Sequence, residues 1–323
     1  LGEARQHKMK SDWTKIPVTK PSFLGARVFK AFDLNSIKER IDWSPLFLVW
    51  ELKGKYPQIF KDPQVGKEAV QLFEDARQLL DEIIGQKSLT ANAVAGFFPA
   101  NSAGDDIELY TDDERRRVLT VFHTLRQQSR KEIDAPHYAL ADFVAPKETG
   151  IKDYIGCFAV TAGIGLDAWV AKFERQHDDY KSIMSKALAD RLAEAFAEKL
   201  HELTRQELWG YAPDEDLDNE ALIRCQYKGI RPAPGYPACP DHSEKTILFN
   251  LLKVKENAGI ALTENYAMIP PASVSGLYFA NPQARYFAVG KIAKDQVEDY
   301  ARRKDMSVED VERWLRPNLA YQS

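Results

Sequence analysis

Apolar and polar positions follow a helical rhythm in some parts of this chain and a strand rhythm in others. Over residues 66–84 the apolar side chains recur near helical spacing, and Gly85 follows as a stop signal. This stripe consists of Val70, Phe73, Leu80 and Ile84. The spacing predicts a helix over 66–84. In the run 41–50, Asp42 followed by Pro45 predicts the start of a shorter helix.

Two segments of strand character come next. Residues 93–99 and 106–110, separated by Asn-Ser-Ala-Gly, predict the two strands of a hairpin. After them, Asp112 or Asp113 can cap a helix that runs towards Arg130. The first half of the chain therefore mixes helix and strand.

The middle of the chain repeats this alternation. Residues 155–162 are apolar and partly β-branched, which predicts a strand. Strong helix formers then occupy 167–208, with a break expected near 177–179. After this break, a single apolar stripe contains Leu188, Leu192, Ala195, Phe196, Leu200 and Leu203.

The C-terminal third is also mixed. The pattern predicts a helix over 243–253, a strand near 262–268, a hairpin of 275–280 with 285–289, and helices over 294–304 and 307–315. The basic run Arg302-Arg303-Lys304 is interpreted as the solvated last turn of a helix.

A rigid, chemically varied loop lies between these segments. Residues 231–242 read Arg-Pro-Ala-Pro-Gly-Tyr-Pro-Ala-Cys-Pro-Asp-His. Proline fixes φ and removes backbone donors, so neither a helix nor a central strand can run through this segment. Such a loop presents Arg231, Gly235 and Tyr236 with little conformational entropy left to lose on binding. A proline-rich surface turn without function is the equally open alternative.

The composition is that of a globular protein. Of the 323 residues, 44% are hydrophobic and 28% charged, and no apolar run approaches the roughly 18 residues of a membrane span. A net charge of −4 gives no electrostatic reason to expect a nucleic-acid partner. Three cysteines without paired spacing favour a reducing, cytoplasmic compartment. Because the chain begins Leu-Gly-Glu-Ala-Arg, without Met, we expect a fragment of a longer protein.

Two motifs suggest other chemistry and are disfavoured. Gly163-Ile-Gly165 fits a variant dinucleotide fingerprint, but helix-forming sequence continues where that fold needs a second parallel strand, so a tight turn is the better interpretation. Cys239 and His242 are a possible metal or nucleophile pair, yet a zinc site needs three or four ligands and no orienting residue stands nearby. A packed thiol and a loop-bracing imidazole are favoured.

Asp190, Glu194 and His201 share a helix face almost opposite the apolar stripe. A solvated face is the ordinary interpretation. The alternative is the wall of a cleft, where carboxylates facing Arg231 and Tyr236 suit a ligand that carries an ammonium, a carboxylate and a sulfonium. S-adenosylmethionine carries these groups.

Six motifs carry a resemblance that covers nearly the whole chain. They are Asp42-Trp43-Ser44-Pro45 with Gly54-Lys55-Tyr56-Pro57, then segments 189–196, 209–211, 229–242, 272–276 and 295–304. The sequence closely resembles the C-terminal S-adenosylmethionine-binding activation domain of cobalamin-dependent methionine synthase. The resemblance implies an α+β fold: a C-shaped single domain with a curved, mainly antiparallel sheet flanked by helices, and no Rossmann unit. We expect a wrapping arm or linker over 1–35 and the domain over 36–323, with a possible helical subdomain at about 36–90.

The same resemblance implies a binding site. Arg231 would hold the ligand carboxylate, and Asp190 would face the cobalamin module when the two modules dock. The other implied ligand contacts are Asp42, Glu194, Ala233, Gly235, Tyr236, Tyr286 and Phe287. Cys225 departs from the family pattern, since a carboxylate is expected near the site at that position.

The implied function is reductive reactivation. The domain would bind S-adenosylmethionine, dock on the cobalamin module of the same polypeptide and supply the methyl group that returns cob(II)alamin to methylcobalamin. The electron would come from a flavodoxin-like protein or a flavoprotein reductase, and zinc would belong only to a separate module of the full methyltransferase. No residue of this chain is expected to act as a catalytic acid or base, and the isolated chain is expected to turn over nothing. The alternative is a regulatory module that senses S-adenosylmethionine without methyl transfer.

Overall fold

Two long antiparallel strands form the centre of the structure, a computed structural model that describes residues 1–131 and 135–322. β2, Thr90–Ala103, pairs along most of its length with β5, Asp153–Ile164. Successive side chains of a strand point to opposite faces of the sheet. Phe97 of β2 accordingly enters one hydrophobic core and Phe98 enters another. Both faces of the sheet are therefore covered.

The remaining strands extend this pair. Their bounds are β1, Gly25–Phe29; β3, Asp106–Tyr110; β4, Val118–His123; β6, Ala261–Leu262; β7, Met268–Ile269; and β8, Ser273–Tyr278. Six of the strands form one sheet in the order β4-β3-β2-β5-β8, with β1 also paired to β2. All of the described pairings in this sheet are antiparallel. β6 and β7 form a separate two-stranded ribbon.

Helices pack on both faces of the sheet. Their bounds are α1, Gly2–Gln6; α2, Leu34–Lys38; α3, Ser44–Val49; α4, Gly66–Gly85; α5, Leu166–Glu174; α6, Asp179–Leu203; α7, Asn219–Ile223; α8, Lys245–Leu252; α9, Val254–Ala258; α10, Lys294–Lys304; and α11, Val308–Leu315. One core joins the sheet to α2 through α6, a second joins it to α8 and α9, and a third joins α10 to α11. The expected α+β architecture with an antiparallel sheet is confirmed.

The long helical segment divides where a break was predicted. α5 ends at Glu174, and α6 begins at Asp179 after Asp178, whose side chain accepts a hydrogen bond from the backbone N–H of Lys181. The predicted apolar stripe of α6 is buried, apart from the partly buried Leu203. α6 is therefore fixed against the sheet along one face, and its opposite face is available for the site.

α4 is confirmed as a helix, but its buried face differs from the predicted stripe. The side chains that enter the core are Ala69, Leu72, Ala76, Leu79, Leu80 and Ile83. Val70 is exposed, and Phe73 lies at the edge of the core against the rings of Trp43 and Tyr56. The alanines decide which face of α4 is buried, because their small side chains let the helix approach the core closely. The predicted stripe counted only large apolar residues and therefore missed this face.

The helix predicted from Asp112 or Asp113 towards Arg130 is wrong. The side chain of Asp112 accepts a hydrogen bond from the backbone N–H of Glu114 and so closes a turn, after which β4 pairs with β3. An aspartate that accepts from the residue two positions later suits a turn as well as a helix start. Strand pairing decided between the two.

Two C-terminal predictions also need correction. The strand expected near 262–268 is instead the short ribbon of β6 and β7 around a turn. The hairpin of 275–280 with 285–289 does not form: β8 pairs with β5, and a turn at Asn281 directs the chain away from the sheet. The backbone N–H of Val289 donates to the carbonyl of Pro237, so this segment lies against the proline-rich loop.

The turn from β5 into α5 requires glycine for a local reason. Gly165 has a φ of +95°, and a Cβ on it would overlap the backbone carbonyl of Ser88. The sheet around it is antiparallel, whereas a dinucleotide-binding unit needs parallel strands. The interpretation of this motif as a tight turn is confirmed.

The basic end of α10 is less solvated than predicted. The side chain of Lys304 is 7% exposed and forms ion pairs with Asp241 and Glu244, and Arg303 pairs with Asp106 and Asp299. The interpretation of this run as a solvated last turn is therefore wrong for both residues, because acidic side chains from distant segments converge on them.

The first 35 residues contribute to the sheet through β1, and Arg5 pairs with Asp105 and Asp299. The division into an arm over 1–35 and a domain over 36–323, with a helical subdomain near 36–90, stays a prediction.

Within the described residues, none of the helices has the length and apolarity to cross a membrane.

Candidate functional site

A groove lies between the polar face of α6, α7 and the start of the proline-rich loop. Its volume is about 180 Å³, and its walls are Arg40, Asp42, Arg191, Glu194, Ala195, Glu198, Leu222, Ile223, Cys225 and Arg231. Three residues predicted from the sequence, Asp42, Glu194 and Arg231, therefore meet in one place although they come from distant regions of the chain. Cys225 lines the same groove and is exposed.

The proline-rich loop is anchored on the outer edge of the sheet. Ile230 and Phe279 exchange backbone hydrogen bonds of 3.1 and 3.0 Å, and the N–H of Leu277 in β8 donates to the carbonyl of Pro232 at 2.8 Å. The loop thus takes the edge of β8 that an added strand would use. Because the strand beneath it is buried and regular, the loop holds Arg231 in a defined place.

Further along, the loop folds back on itself around Gly235. The N–H of Gly235 donates to the carbonyl of Cys239 at 2.7 Å. Gly235 has a φ of +94°, and a Cβ on it would overlap the ring of His242. Lys245 donates to Nδ1 of His242 at 3.2 Å and fixes that ring. Burial raises the pKa of the Cys239 thiol and keeps it protonated. The structure therefore supports the interpretation of a packed thiol and a loop-bracing imidazole.

Arg231 is the most heavily engaged side chain of the groove. Its Nη2 lies 2.7 Å from a carboxylate oxygen of Glu198. Its Nη1 donates to Nδ1 of His201 at 3.2 Å and to the hydroxyl of Tyr227 at 3.3 Å. Its backbone N–H donates to the hydroxyl of Tyr286 at 3.0 Å. Arg231 is therefore oriented by four different residues.

His201 lies at the bottom of this cluster, fully buried. Its ring stacks on that of Tyr278, with centroids 5.0 Å apart, and Nε2 donates to the hydroxyl of Tyr211 at 3.2 Å. Burial and the charges of Arg205 and Arg231 hold its pKa well below the usual value. A neutral ring leaves Nδ1 free to accept from Arg231. The solvated face proposed for Asp190, Glu194 and His201 is therefore wrong for His201.

The other two members of that face are exposed. Glu194 lies at the groove, and Asp190 lies one helical turn before it, outside the groove walls. Tyr236 is 60% exposed, and burial together with the charge of Glu194 raises the pKa of its hydroxyl. The charge of Glu194 therefore acts on Tyr236, which stands five residues after Arg231 in the loop.

The remaining predicted residues are placed less directly. Ala233 and Gly235 are partly buried members of the loop. The side chain of Tyr286 reaches the cluster around Arg231, but Phe287 packs against Tyr138 and Phe143 in the second core. The structure does not bring the Phe287 side chain to the groove.

Sequence reasoning missed two important residues. Glu198 stands four positions after Glu194, so helical spacing alone was a signal that both share one face. Tyr227 lies between the guanidinium groups of Arg205 and Arg231, whose Cζ atoms are 4.5 and 5.6 Å from its ring centre. Its neighbours in sequence give no comparable signal.

The charges of the groove suit a ligand that carries both signs. Asp42 and Glu194 provide carboxylates, and the carboxylate of Glu198 is already paired with Arg231. Three arginines line the groove: Arg40 is paired with Glu202 at 2.8 Å, Arg231 is held by Glu198 at 2.7 Å, and Arg191 is the third. An amino acid derivative with an additional cationic centre fits this arrangement.

The chain is similar to known proteins over nearly its whole length. The family model for the activation domain of vitamin B12 dependent methionine synthase matches residues 33–305. The chain is also similar to a solved crystal structure, that of the MetH reactivation domain bound to AdoHcy, with 54% sequence identity and a TM-score of 0.97. That match covers 100% of this chain and 98% of the other chain. Both matches include every residue that lines the groove.

Lowering the pH should reduce the free energy of unfolding, because the buried ring of His201 resists protonation in the folded state. Because its pKa is lowered in the folded state, the unfolded chain binds more protons below pH 6.5, so the free energy of unfolding falls as the pH falls through that range. Between pH 7 and 5.5 we expect a loss of about 1 kcal/mol from this residue. Urea unfolding at both pH values should show a smaller loss in His201→Gln than in the wild type. An equal loss in both proteins would contradict the assignment, and His177→Gln, at an exposed position, controls for the substitution.

Proposed function

This chain belongs to the activation domains of vitamin B12-dependent methionine synthase, and we propose that its groove binds S-adenosylmethionine as the methyl donor for reactivation. The observation that carries the proposal is the oriented guanidinium of Arg231 beside Asp42 and Glu194 in one groove. A relative with 54% identity is described as bound to AdoHcy, which is S-adenosylmethionine without its transferable methyl group.

Each portion of the ligand has a complementary group in the groove. Arg231 holds the carboxylate, because a guanidinium presents donors in a fork that matches it. Asp42 and Glu194 accept from the ammonium or the ribose hydroxyls, and Tyr236 offers a π-face to the sulfonium or the adenine. Ala233 and Gly235 approach the ligand through their backbone. Tyr286, whose hydroxyl reaches the Arg231 cluster, completes the contacts; Phe287, whose side chain packs in the second core, would contribute through its backbone.

The chain acts by orientation rather than by proton transfer. When bound, S-adenosylmethionine supplies a methyl group on a positively charged sulfur, and the acceptor is the cobalt of cobalamin held by a neighbouring module. The groove fixes the ligand at both ends and limits the approach of water, which lowers the entropic contribution to the barrier. No side chain here is needed as a general base. The isolated chain is accordingly expected to bind its ligand and turn over nothing.

Docking on the cobalamin module of the same polypeptide involves the exposed face of α6. Asp190 is exposed one turn from Glu194, so a partner that covers the groove entrance would meet it. The electron for reactivation comes from a flavodoxin-like protein or a flavoprotein reductase, and zinc belongs to a different module. The three cysteines are free thiols, which accords with the reducing interior of the cytoplasm.

Replacing Arg231 with Ala should abolish saturable binding of S-adenosylmethionine. The change removes the donors for the ligand carboxylate and leaves Glu198 without its partner, so we expect the Kd to rise at least about 100-fold. Isothermal titration calorimetry on the folded chain measures this directly. Arg191→Ala, which removes another arginine from the same groove wall, should change the Kd by less than about threefold. If Arg191→Ala loses binding instead, the ligand carboxylate binds Arg191 and the assignment to Arg231 is wrong.

Reversing the charge at Asp190 should separate docking from binding. In the cobalamin-containing enzyme, Asp190→Lys is expected to lower the rate of reductive reactivation at least about tenfold, while the Kd for S-adenosylmethionine stays within about twofold of the wild type. Absorbance of the cobalamin follows the reactivation. Asp179→Lys, exposed three turns earlier on the same helix, is the control and should reactivate normally. Weaker ligand binding in Asp190→Lys would place Asp190 in the groove and contradict the docking role.

A further inference from the structure

The donors of the Arg231 guanidinium are divided between the protein and the groove. A guanidinium has five N–H groups. Nη1 donates to His201 and Tyr227, and Nη2 meets Glu198. Nε donates to none of the described residues. The side of the guanidinium that carries Nε is therefore left for a ligand, while the far end is held by the protein.

Glu198 occupies a position that serves this division. It stands one helical turn after Glu194 on α6, and its side chain is 9% exposed. One of its oxygens lies 2.7 Å from Nη2 of Arg231, and the other lies 3.7 Å from Nη1 of Arg205. Arg205 is in turn paired with Glu215 at 2.7 Å. Glu198 therefore lies between two arginines and is closer to Arg231 than to Arg205.

His201 and Tyr227 hold the same guanidinium from the other side. Both are uncharged, His201 because burial and two arginines lower its pKa, Tyr227 because burial raises the pKa of its hydroxyl. They accept hydrogen bonds from Nη1 without adding negative charge. Glu198 is therefore the one anion among the residues that contact the guanidinium in the described regions of the chain.

We propose that Glu198 is a positioning residue for Arg231 and that it gives the groove its selectivity for ligands with a carboxylate. This inference rests on the proposed function, because it takes Arg231 as the residue that binds the ligand carboxylate. Glu198 pulls the Nη2 end of the guanidinium towards α6, so the Nε–H is directed at the ligand carboxylate. A preorganised arginine loses less conformational entropy when it binds a carboxylate. Glu198 itself does not touch the ligand.

The test compares two ligands on the same protein. S-adenosylmethionine carries the carboxylate, and decarboxylated S-adenosylmethionine lacks it but keeps the sulfonium, ribose and adenine. The measured quantity is the ratio of their Kd values from isothermal titration calorimetry. We expect Glu198→Gln to weaken binding of S-adenosylmethionine at least about tenfold and to change the Kd of the decarboxylated ligand by less than about threefold. The preference for the carboxylate-bearing ligand therefore falls by at least about threefold.

A matched control lies one turn further along α6. Glu202 is also buried and also paired with an arginine, Arg40, at 2.8 Å. Glu202→Gln removes a comparable ion pair and should leave the ratio of the two Kd values unchanged.

In an Arg231→Ala background, Glu198→Gln should have no further effect on the binding of either ligand, because the residue it positions is gone. If Glu198→Gln does not fold, Glu198→Asp, which withdraws the charge by one methylene, is expected to lower the preference in the same direction.

The outcomes separate this inference from the proposed function. A folded wild type that binds neither ligand contradicts the proposed function. A wild type that binds S-adenosylmethionine, together with a Glu198→Gln variant that binds both ligands more weakly by the same factor, shows a purely structural role for Glu198 and overturns the inference. Equal or tighter binding of S-adenosylmethionine by Glu198→Gln shows that Glu198 competes with the ligand carboxylate, and also overturns it.

Discussion

The groove depends on a cation that the fold places mostly out of water. The side chain of Arg231 is 20% exposed, and a charge at such a position is costly unless it is paired and hydrogen-bonded. Glu198 provides the charge, while His201 and Tyr227 provide neutral acceptors. Removing any one of these partners leaves another polar group without compensation, so the residues of the cluster depend on one another. The proposed binding of a ligand carboxylate uses the side of the guanidinium that this cluster leaves free.

The sheet fixes the positions of the two elements that form this cluster, which are α6 and the proline-rich loop. α6 is buried along one face against the sheet, and its other face carries Glu194, Glu198 and His201. The proline-rich loop that carries Arg231 is bonded to the outer edge of β8. Since both elements rest on the same antiparallel sheet, the distance between them is set by packed strands rather than by a flexible connection. This rigidity is what a site that works by orientation requires.

The meeting of Asp42, Glu194 and Arg231 in one groove could be predicted from the sequence. A resemblance to a known family indicates which residues share a site even when they lie far apart along the chain. It also predicted that the loop would be rigid, since proline restricts the backbone locally. Other features depended on tertiary partners. The turn at Asp112 could have begun a helix, and only the pairing of β4 with β3 decided against it. For His201 the sequence left a solvated face and a cleft wall open, because helical spacing does not show which portion of a helix face another segment covers. Phe287 was expected at the ligand, but the second core takes its side chain.

The most direct test of the account is a crystal structure of this chain with S-adenosylmethionine bound. We expect the ligand carboxylate within hydrogen-bonding distance of Nε of Arg231, with Glu198 still paired to Nη2 and Asp42 and Glu194 on the ligand's other polar groups. We also expect the sulfonium methyl to be directed to the open side of the groove, where a cobalamin module can reach it. A ligand bound elsewhere, or one whose carboxylate has displaced Glu198 from Arg231, would contradict the account.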